Sequence, residues 1–439
     1  MTDLEALRAE ALAAVRRYGE AAYPPDPPAW GPGRDPVPVA GRVIGPSELE
    51  ALTDASLDGW LTEGRHADAF RAALAREVGR RRVHLVGSGS QANLLAVAAA
   101  LSHLHARPLR PGDEVITPAV GFATTVNPLY QYGLVPVYVD VEPDTLNPTL
   151  DAFLEAIGPK TRGVLGAHCL GNPFDAAGLA AACAERELVL VEDTCDALGS
   201  ELGGRKVGTF GHASTYSFYP AHHMTTGEGG AVGTDDDTWA RAVGSLREWG
   251  RDCWCPPGVN DACGRRFEGQ FGRLPVGYDH KYVFSHVGFN FKITDMQAAL
   301  GLAQLARVPG FHARRRENFA RLRAALKPDE DRLLLPRALP GADPSWFGFP
   351  LTLRDGGAAK RRELQLFLAG RKIDSRLVLG GNLTLQPAYQ GLEHRVAGVL
   401  AGADRVTVSS LWVGCHPGLT DPMLDFVAES IADWLSGGG

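Results

Sequence analysis

From Val83 to Asp193 the chain repeats one pattern, in which short and almost wholly apolar runs are separated by helix-length amphipathic pieces. The runs are Val83–Val86, Glu114–Thr117, Val135–Asp140, Gly163–Ala167 and Leu188–Asp193, and two of the intervening pieces are Leu150–Ile157 and Asp175–Glu185. Strands that are apolar on both sides need cover on both faces, which predicts an α/β fold with a mostly parallel, mixed central sheet and helices on either side. Ligands gather at the carboxyl ends of the strands in such sheets. Asp193 stands at one of these ends, and Phe122 lies in the loop after Glu114–Thr117.

At 439 residues the chain is long for one domain. Residues 1–38 read as a helix (Leu4 to Tyr18) and an extended arm entered through Pro24-Pro25-Asp26-Pro27-Pro28. Such an arm suits wrapping a partner subunit, lying across an active-site mouth, or plain tethering. Residues 39–305 form the large domain, which opens with a helical stretch from Gly45 to Arg80 interrupted at Gly59 and closes with a helix from Ile293 to Leu305. An insertion over 251–282 breaks its rhythm. Residues 306–439 hold a strand at Trp346–Leu353 and helices at Ala358–Leu368 and Asp421–Trp434, which is enough for a smaller C-terminal α+β domain.

The formal net charge is -7 with acids and bases interspersed, so there is no footprint for nucleic acid and no polybasic membrane anchor. Apolar runs such as Ala92–Leu101 fall well short of the ~20 residues that span a bilayer. The acidic, amphipathic N-terminus lacks the apolar core of a secretory signal, so the expected location is the cytoplasm, where the seven cysteines stay reduced.

Two segments carry chemistry. Gly87-Ser88-Gly89-Ser90-Gln91-Ala92-Asn93-Leu94 opens a helix after a short strand, so backbone N–H groups and the helix dipole converge on an anion such as phosphate. Taken alone, it is equally a serine-capped helix start. The second is Ser217-Phe218-Tyr219-Pro220-Ala221-His222-His223-Met224-Thr225-Thr226-Gly227-Glu228-Gly229-Gly230. Its histidines titrate where general-base work needs them.

With Gly89-Ser90, Asp193, Ser217 and Gly227-Glu228-Gly229-Gly230 in this order, the sequence from about Pro38 to Trp434 resembles the DegT/StrS sugar aminotransferase family. The resemblance implies the type I fold of pyridoxal-phosphate enzymes. It also implies that Gly89, Ser90 and Ser217 hold the cofactor phosphate, that Phe122 stacks on the pyridine ring, and that Asp193 pairs with the ring nitrogen. Asn290 corresponds to the position that reaches the neighbouring subunit's phosphate, which implies a homodimer. A carboxylate on the ring nitrogen keeps the pyridinium protonated, so that the ring can act as an electron sink.

Two positions depart from the family pattern. His222 stands where the family has its Schiff-base lysine, and Asp196 stands where many members have a glutamine near the cofactor's phenolic oxygen. A lysine amine bonds covalently to the cofactor aldehyde, whereas an imidazole moves protons and makes hydrogen bonds. The first exchange narrows the resemblance to the 3-dehydrases of nucleotide-linked 4-keto-6-deoxyhexoses, which use pyridoxamine phosphate and a histidine base.

Cys253, Cys255 and Cys263 share one polar loop of the insertion, and Cys195 lies two residues past Asp193. The spacing Cys-x57-Cys-x1-Cys-x7-Cys is similar to the motif of the iron-sulfur-dependent branch of those 3-dehydrases, which implies a 2Fe-2S cluster on four thiolates. It lacks the Cys-x2-Cys pairs of a zinc ribbon, although zinc in a four-cysteine site stays open. Two residues of extended chain reach at most about 7 Å, so a cluster on Cys195 would lie close to a ring held by Asp193. Cys169, Cys183 and Cys415 read as ordinary buried thiols.

The resemblance thus implies C-3 deoxygenation of a nucleotide-diphosphate 4-keto-6-deoxy or 2,6-dideoxy hexose. His222 takes a proton from the cofactor's aminomethyl carbon, the 3-hydroxyl leaves as water, and a reductase or ferredoxin supplies electrons through the cluster. A composition rich in Ala, Gly, Arg and Leu points to a GC-rich genome and favours a dTDP sugar over a CDP sugar. Three alternatives stay open: a cluster-free 3-dehydratase that draws on glutamate, ordinary transamination of the same sugar, and a catalytically retired regulatory protein on this fold.

Overall fold

In this computed structural model the described residues are 3–24, 29–255, 258–262 and 264–437. Alternating side chains of the apolar runs are buried on opposite sides, which is what makes them strands of a covered sheet. In chain order the strands are β1 (Arg82–Val86), β2 (Glu114–Pro118), β3 (Val135–Val139), β4 (Thr161–Ala167), β5 (Val189–Asp193), β6 (Glu201–Leu202), β7 (Arg205–Lys206), β8 (Ala213–Ser217), β9 (Gly230–Thr234), β10 (Leu333–Leu334), β11 (Ala342–Asp343), β12 (Gly348–Leu353), β13 (Ser375–Arg376), β14 (Arg395–Val396) and β15 (Ser410–Gly414).

The central sheet has eight strands in the order β1-β9-β8-β5-β4-β2-β3-β14. Every pairing from β8 to β14 is parallel, and β9 runs antiparallel to both β1 and β8. All five expected runs are strands of this sheet. β8 and β9 were not anticipated, because their Ser, Thr and Gly content hides an otherwise fully buried pair.

The first helices are α1 (Asp3–Ala22), α2 (Pro46–Leu57) and α3 (Arg65–Val78), with the break between the last two falling around Gly59 as expected. α4 (Gly89–Ala100), α5 (Ala123–Gln131), α6 (Leu150–Glu155), α7 (Ala176–Glu185) and α8 (Asp237–Arg247) follow among the strands of the central sheet. Neighbouring strand residues divide between the faces. Val115, Leu165 and Val191 pack with α4 and α8, while Ile116, Val164 and Leu190 pack with α6 and α7.

The remaining helices are α9 (Asp295–Leu305), α10 (Val308–Leu326), α11 (Gly357–Gly370), α12 (Ala401–Ser409) and α13 (Asp421–Leu435). A second sheet, β10-β12-β15-β13, shares one core with α10, α11 and α13. Residues 306 and 307 separate α9 from α10, yet the chain beyond them returns to the large sheet: β14 edges β3, β11 pairs with β6, and Asn382 bridges to Val120. The arm takes a course the sequence did not reveal. Val37 pairs with Ile373, Trp30 meets Phe426 edge-on, and Lys372 Nζ donates to the Arg34 carbonyl, so the arm lies along its own chain's C-terminal region. Pro25, Asp26, Pro27 and Pro28 lie outside the described residues. Among the described residues no helix is long and apolar enough to cross a membrane.

Candidate functional site

β5 ends at Asp193, β8 ends at Ser217, and α4 begins at Gly89, which brings three expected site residues to one edge of the sheet. Asp193 is buried and surrounded by donors: Thr125 Oγ1 at 2.7 Å, Asn93 Nδ2 at 2.8 Å, the Cys195 amide at 3.1 Å and Thr215 Oγ1 at 3.4 Å. Thr215 Oγ1 also donates to Asn93 Oδ1 at 2.6 Å, which orients the amide. Donors on both oxygens fix the carboxylate in place, as the outer ring of a rigid site should. Sequence reading missed Asn93, Thr125 and Thr215. The signal was faint but present, since each lies within three residues of a residue or motif already singled out.

Close packing shapes the cradle beside this carboxylate. A Cβ on Gly89 would lie 2.6 Å from Ser217 Cβ and 3.1 Å from Cys195 Sγ, and one on Gly230 would lie 2.5 Å from the Ser88 carbonyl. Glycine at both positions lets the start of α4 settle onto β8 and β9. Ser88 caps α4 by accepting from the Gln91 amide at 3.1 Å, and the amides of the first turn have no intrahelical acceptor. The helix start and the Ser217 hydroxyl therefore form a site that fits a phosphate, with Asp193 placed for a cationic ring nitrogen.

His222 sits in the turn after β8, its amide bonded to the Tyr219 carbonyl at 2.9 Å and its ring 5.1 Å from that of Phe347. Its Nδ1 is buried without a hydrogen-bond partner, 3.5 Å from Asp196 Oδ1. Burial pushes the imidazole down to about 4 against the pull of Asp193, so the ring is a neutral base at neutral pH. Burial, with the charge of Asp193, raises the Asp196 carboxyl to about 7. Burial also pushes the Cys195 thiol up.

Other expected residues stand apart from this floor. Phe122 caps α5 with its side chain 56% exposed, while Thr125 from the same turn reaches Asp193. Asn290 is exposed and accepts from Lys292 Nζ at 2.9 Å. Cys253 and Cys255 share a tight loop in which the Cys255 amide donates to Cys253 Sγ at 3.4 Å and the Ala262 amide to Cys255 Sγ at 3.3 Å. Cys263 lies outside the described residues. The insertion is secured by His280, which bonds Asp252 Oδ2 at 2.8 Å and stacks on Phe271 at 4.8 Å.

The mostly parallel mixed sheet, with a buried carboxylate at its carboxyl edge, is that of an enzyme of the pyridoxal-phosphate aminotransferase fold. Residues 43–432 match the DegT/DnrJ/EryC1/StrS aminotransferase family, and the chain belongs to it. It is 49% identical over 426 residues to the dTDP-4-dehydro-2,6-dideoxy-D-glucose 3-dehydratase of Saccharopolyspora spinosa, covering 97% of this chain and 91% of that one. It is 47% identical over 430 residues to the lipopolysaccharide biosynthesis protein RfbH of Salmonella typhimurium, covering 98% of each. Among solved structures, it is similar to the E. coli GDP-4-keto-6-deoxy-D-mannose-3-dehydratase with bound hydrated PLP, at a TM-score of 0.81 and 27% identity, covering 90% of this chain and 98% of that one.

Proposed function

We propose that this enzyme removes the 3-hydroxyl of a nucleotide-linked 4-keto-deoxyhexose, with pyridoxamine phosphate as cofactor and His222 as the base. The observation that carries this reading is the neutral, buried imidazole of His222, beside Asp196 and within the field of Asp193, at a position where the family has an amine. The cofactor, when bound, supplies a conjugated electron sink. Asp193 would pair with its ring nitrogen, the start of α4 at Gly89 and Ser90 with Ser217 would hold its phosphate, Phe122 would cover a ring face, and Asp196 would stand by the phenolic oxygen. His222 accepts the proton lost at the aminomethyl carbon. The same burial that disfavours the imidazolium makes His222 release that proton again.

The finer reading is reductive. Cys195, Cys253, Cys255 and Cys263 would hold a 2Fe-2S cluster, fed by a reductase or ferredoxin. Its support is the seat of Cys195 against the cradle, together with the backbone N–H groups aimed at the sulfurs of Cys253 and Cys255, since such bonds stabilise ligating thiolates. Asn290, which is exposed, would reach the phosphate of a second subunit in a homodimer that works in the cytoplasm. Likeness to the Saccharopolyspora enzyme favours a dTDP-linked substrate lacking the 2-hydroxyl.

The test is anaerobic incubation of dTDP-4-keto-2,6-dideoxyglucose with the protein, pyridoxamine phosphate and a chemical reductant, alongside metal analysis. Loss of the 3-hydroxyl with about two irons and two sulfides per chain supports the full reading. Dehydration that needs glutamate, in protein that takes up no iron, would replace it with the cluster-free chemistry.

A further inference from the structure

We propose that Arg315 is the positioning residue for His222, tying the turn that carries the base to the C-terminal region; the inference rests on His222 being the base. Arg315 lies on α10 and is wholly buried. Its Nη1 donates to the carbonyls of Trp346 and Phe347, both at 3.0 Å, and its Nη2 donates to the carbonyl of His222 at 3.2 Å. Among the described residues no carboxylate stands within ion-pair distance of it, and its Nε has no hydrogen-bond partner.

A guanidinium buried in this way is expensive for the fold, because charge is removed from water with no carboxylate in contact and only the more distant Asp196 to offset it. Arg80 and Arg247, which are also buried, each have a carboxylate to hand: Arg80 Nη1 bonds Asp235, and Arg247 bonds Glu63 through both terminal nitrogens. Filling space alone would be served by an apolar side chain. What the planar fork adds at Arg315 is direction, since it bonds two segments far apart in sequence at fixed angles.

The segments it joins carry facing rings. His222 and Phe347 lie 5.1 Å apart between centroids, inclined by 45°, and the guanidinium holds the backbone carbonyl of each. The Tyr219 carbonyl holds the His222 amide from the other side, so the base is pinned at both of its peptide groups. Arg315 and His222 also line the same small internal cavity with Gln304 and Phe311. A lysine here has one ammonium and cannot reproduce the fork; a methionine keeps much of the volume and bonds none of the carbonyls.

The experiment compares Arg315→Lys and Arg315→Met with the native enzyme, reading dehydration kinetics, thermal midpoint and amide hydrogen exchange. Small misplacement of a reacting group costs on the order of 10²-fold. The expected result is a fall in kcat of about 10- to 100-fold with KM within about twofold. Exchange should quicken in peptides covering 219–226 and 345–348, with α4 and β5 unchanged. A kcat within about twofold of native, or unaltered exchange over 219–226, overturns the proposal. Failure of both variants to fold also overturns it, by assigning Arg315 to the fold. Exchange is read without substrate, so a His222→Asn enzyme that still dehydrates would remove the base and leave the Arg315 geometry standing.

Discussion

Asp193, 6% exposed, sits under donors from three different elements and from the Cys195 amide two residues on, whereas Trp254, Phe267 and Val276 of the insertion over 251–282 turn 58%, 59% and 80% of their surface outward. The first region is built like a core. Its polar groups satisfy one another, and its glycines admit contacts that a Cβ would block. The second region is held by a few local contacts around His280 and the Arg266–Asp279 pair. Groups that must keep their geometry are set in the sheet, and those expected to meet an outside electron donor are carried on its surface. The comparison predicts that the two regions can be damaged separately.

Cys255→Ser should have the largest effect on one region with the least on the other. Iron and the reduced product should vanish, while the thermal midpoint and the affinity for pyridoxamine phosphate stay close to native; a large loss of cofactor binding would show that the regions are one unit. Asp193→Asn is the converse. It keeps the shape and loses the charge, and turnover should fall on the order of 10²- to 10³-fold with iron content intact, as turnover assays and metal analysis would show. A loss under tenfold would release Asp193 from the ring nitrogen.

Gly230→Ala drives a methyl toward the Ser88 carbonyl, so chemical denaturation should report a destabilisation of about 1–3 kcal/mol. A comparable change in the insertion, Gly264→Ala, meets nothing nearby and costs only about 1 kcal/mol for its left-handed backbone.

The last effect concerns pH. Burial holds His312, packed against Gly199 and Ser345, at about 3. The unfolded chain has a value near 6.5, so the neutral ring's contribution is complete above that pH and is lost as pH falls toward the folded value. Between pH 7 and pH 5 the loss from this ring should be about 1–2 kcal/mol, and His312→Gln should lower the slope in urea titrations by that share. An unchanged slope would place the acid sensitivity in other histidines, of which burial holds His84 at about 3 and His416 at about 4.

Legibility followed physics. Apolar runs flanked by amphipathic helices were readable because burial on both faces leaves few polar positions, as in β2 to β5. β8 and β9 were hidden because Ser214, Thr215, Gly230 and Gly233 are buried by close packing and hydrogen bonding, not by apolarity. Asp193, Ser217 and His222 stood out because their types and order are distinctive. The donors that immobilise Asp193 come from elements as far apart as residues 93 and 215, and no local pattern joins them.

The arm shows the same limit. A proline-rich stretch announces an extended path but not its neighbour, and here Val37 found Ile373. By itself the sequence determined the alternation that makes the sheet, the exchange of an amine for an imidazole at position 222, and the cysteine spacing, because each is a matter of residue type and order. Only the tertiary structure decided that Asp193 is saturated with donors, that burial keeps His222 neutral, and that Arg315 grips its carbonyl. Those properties arise from desolvation and from contacts between distant segments, which exist only once the chain has folded.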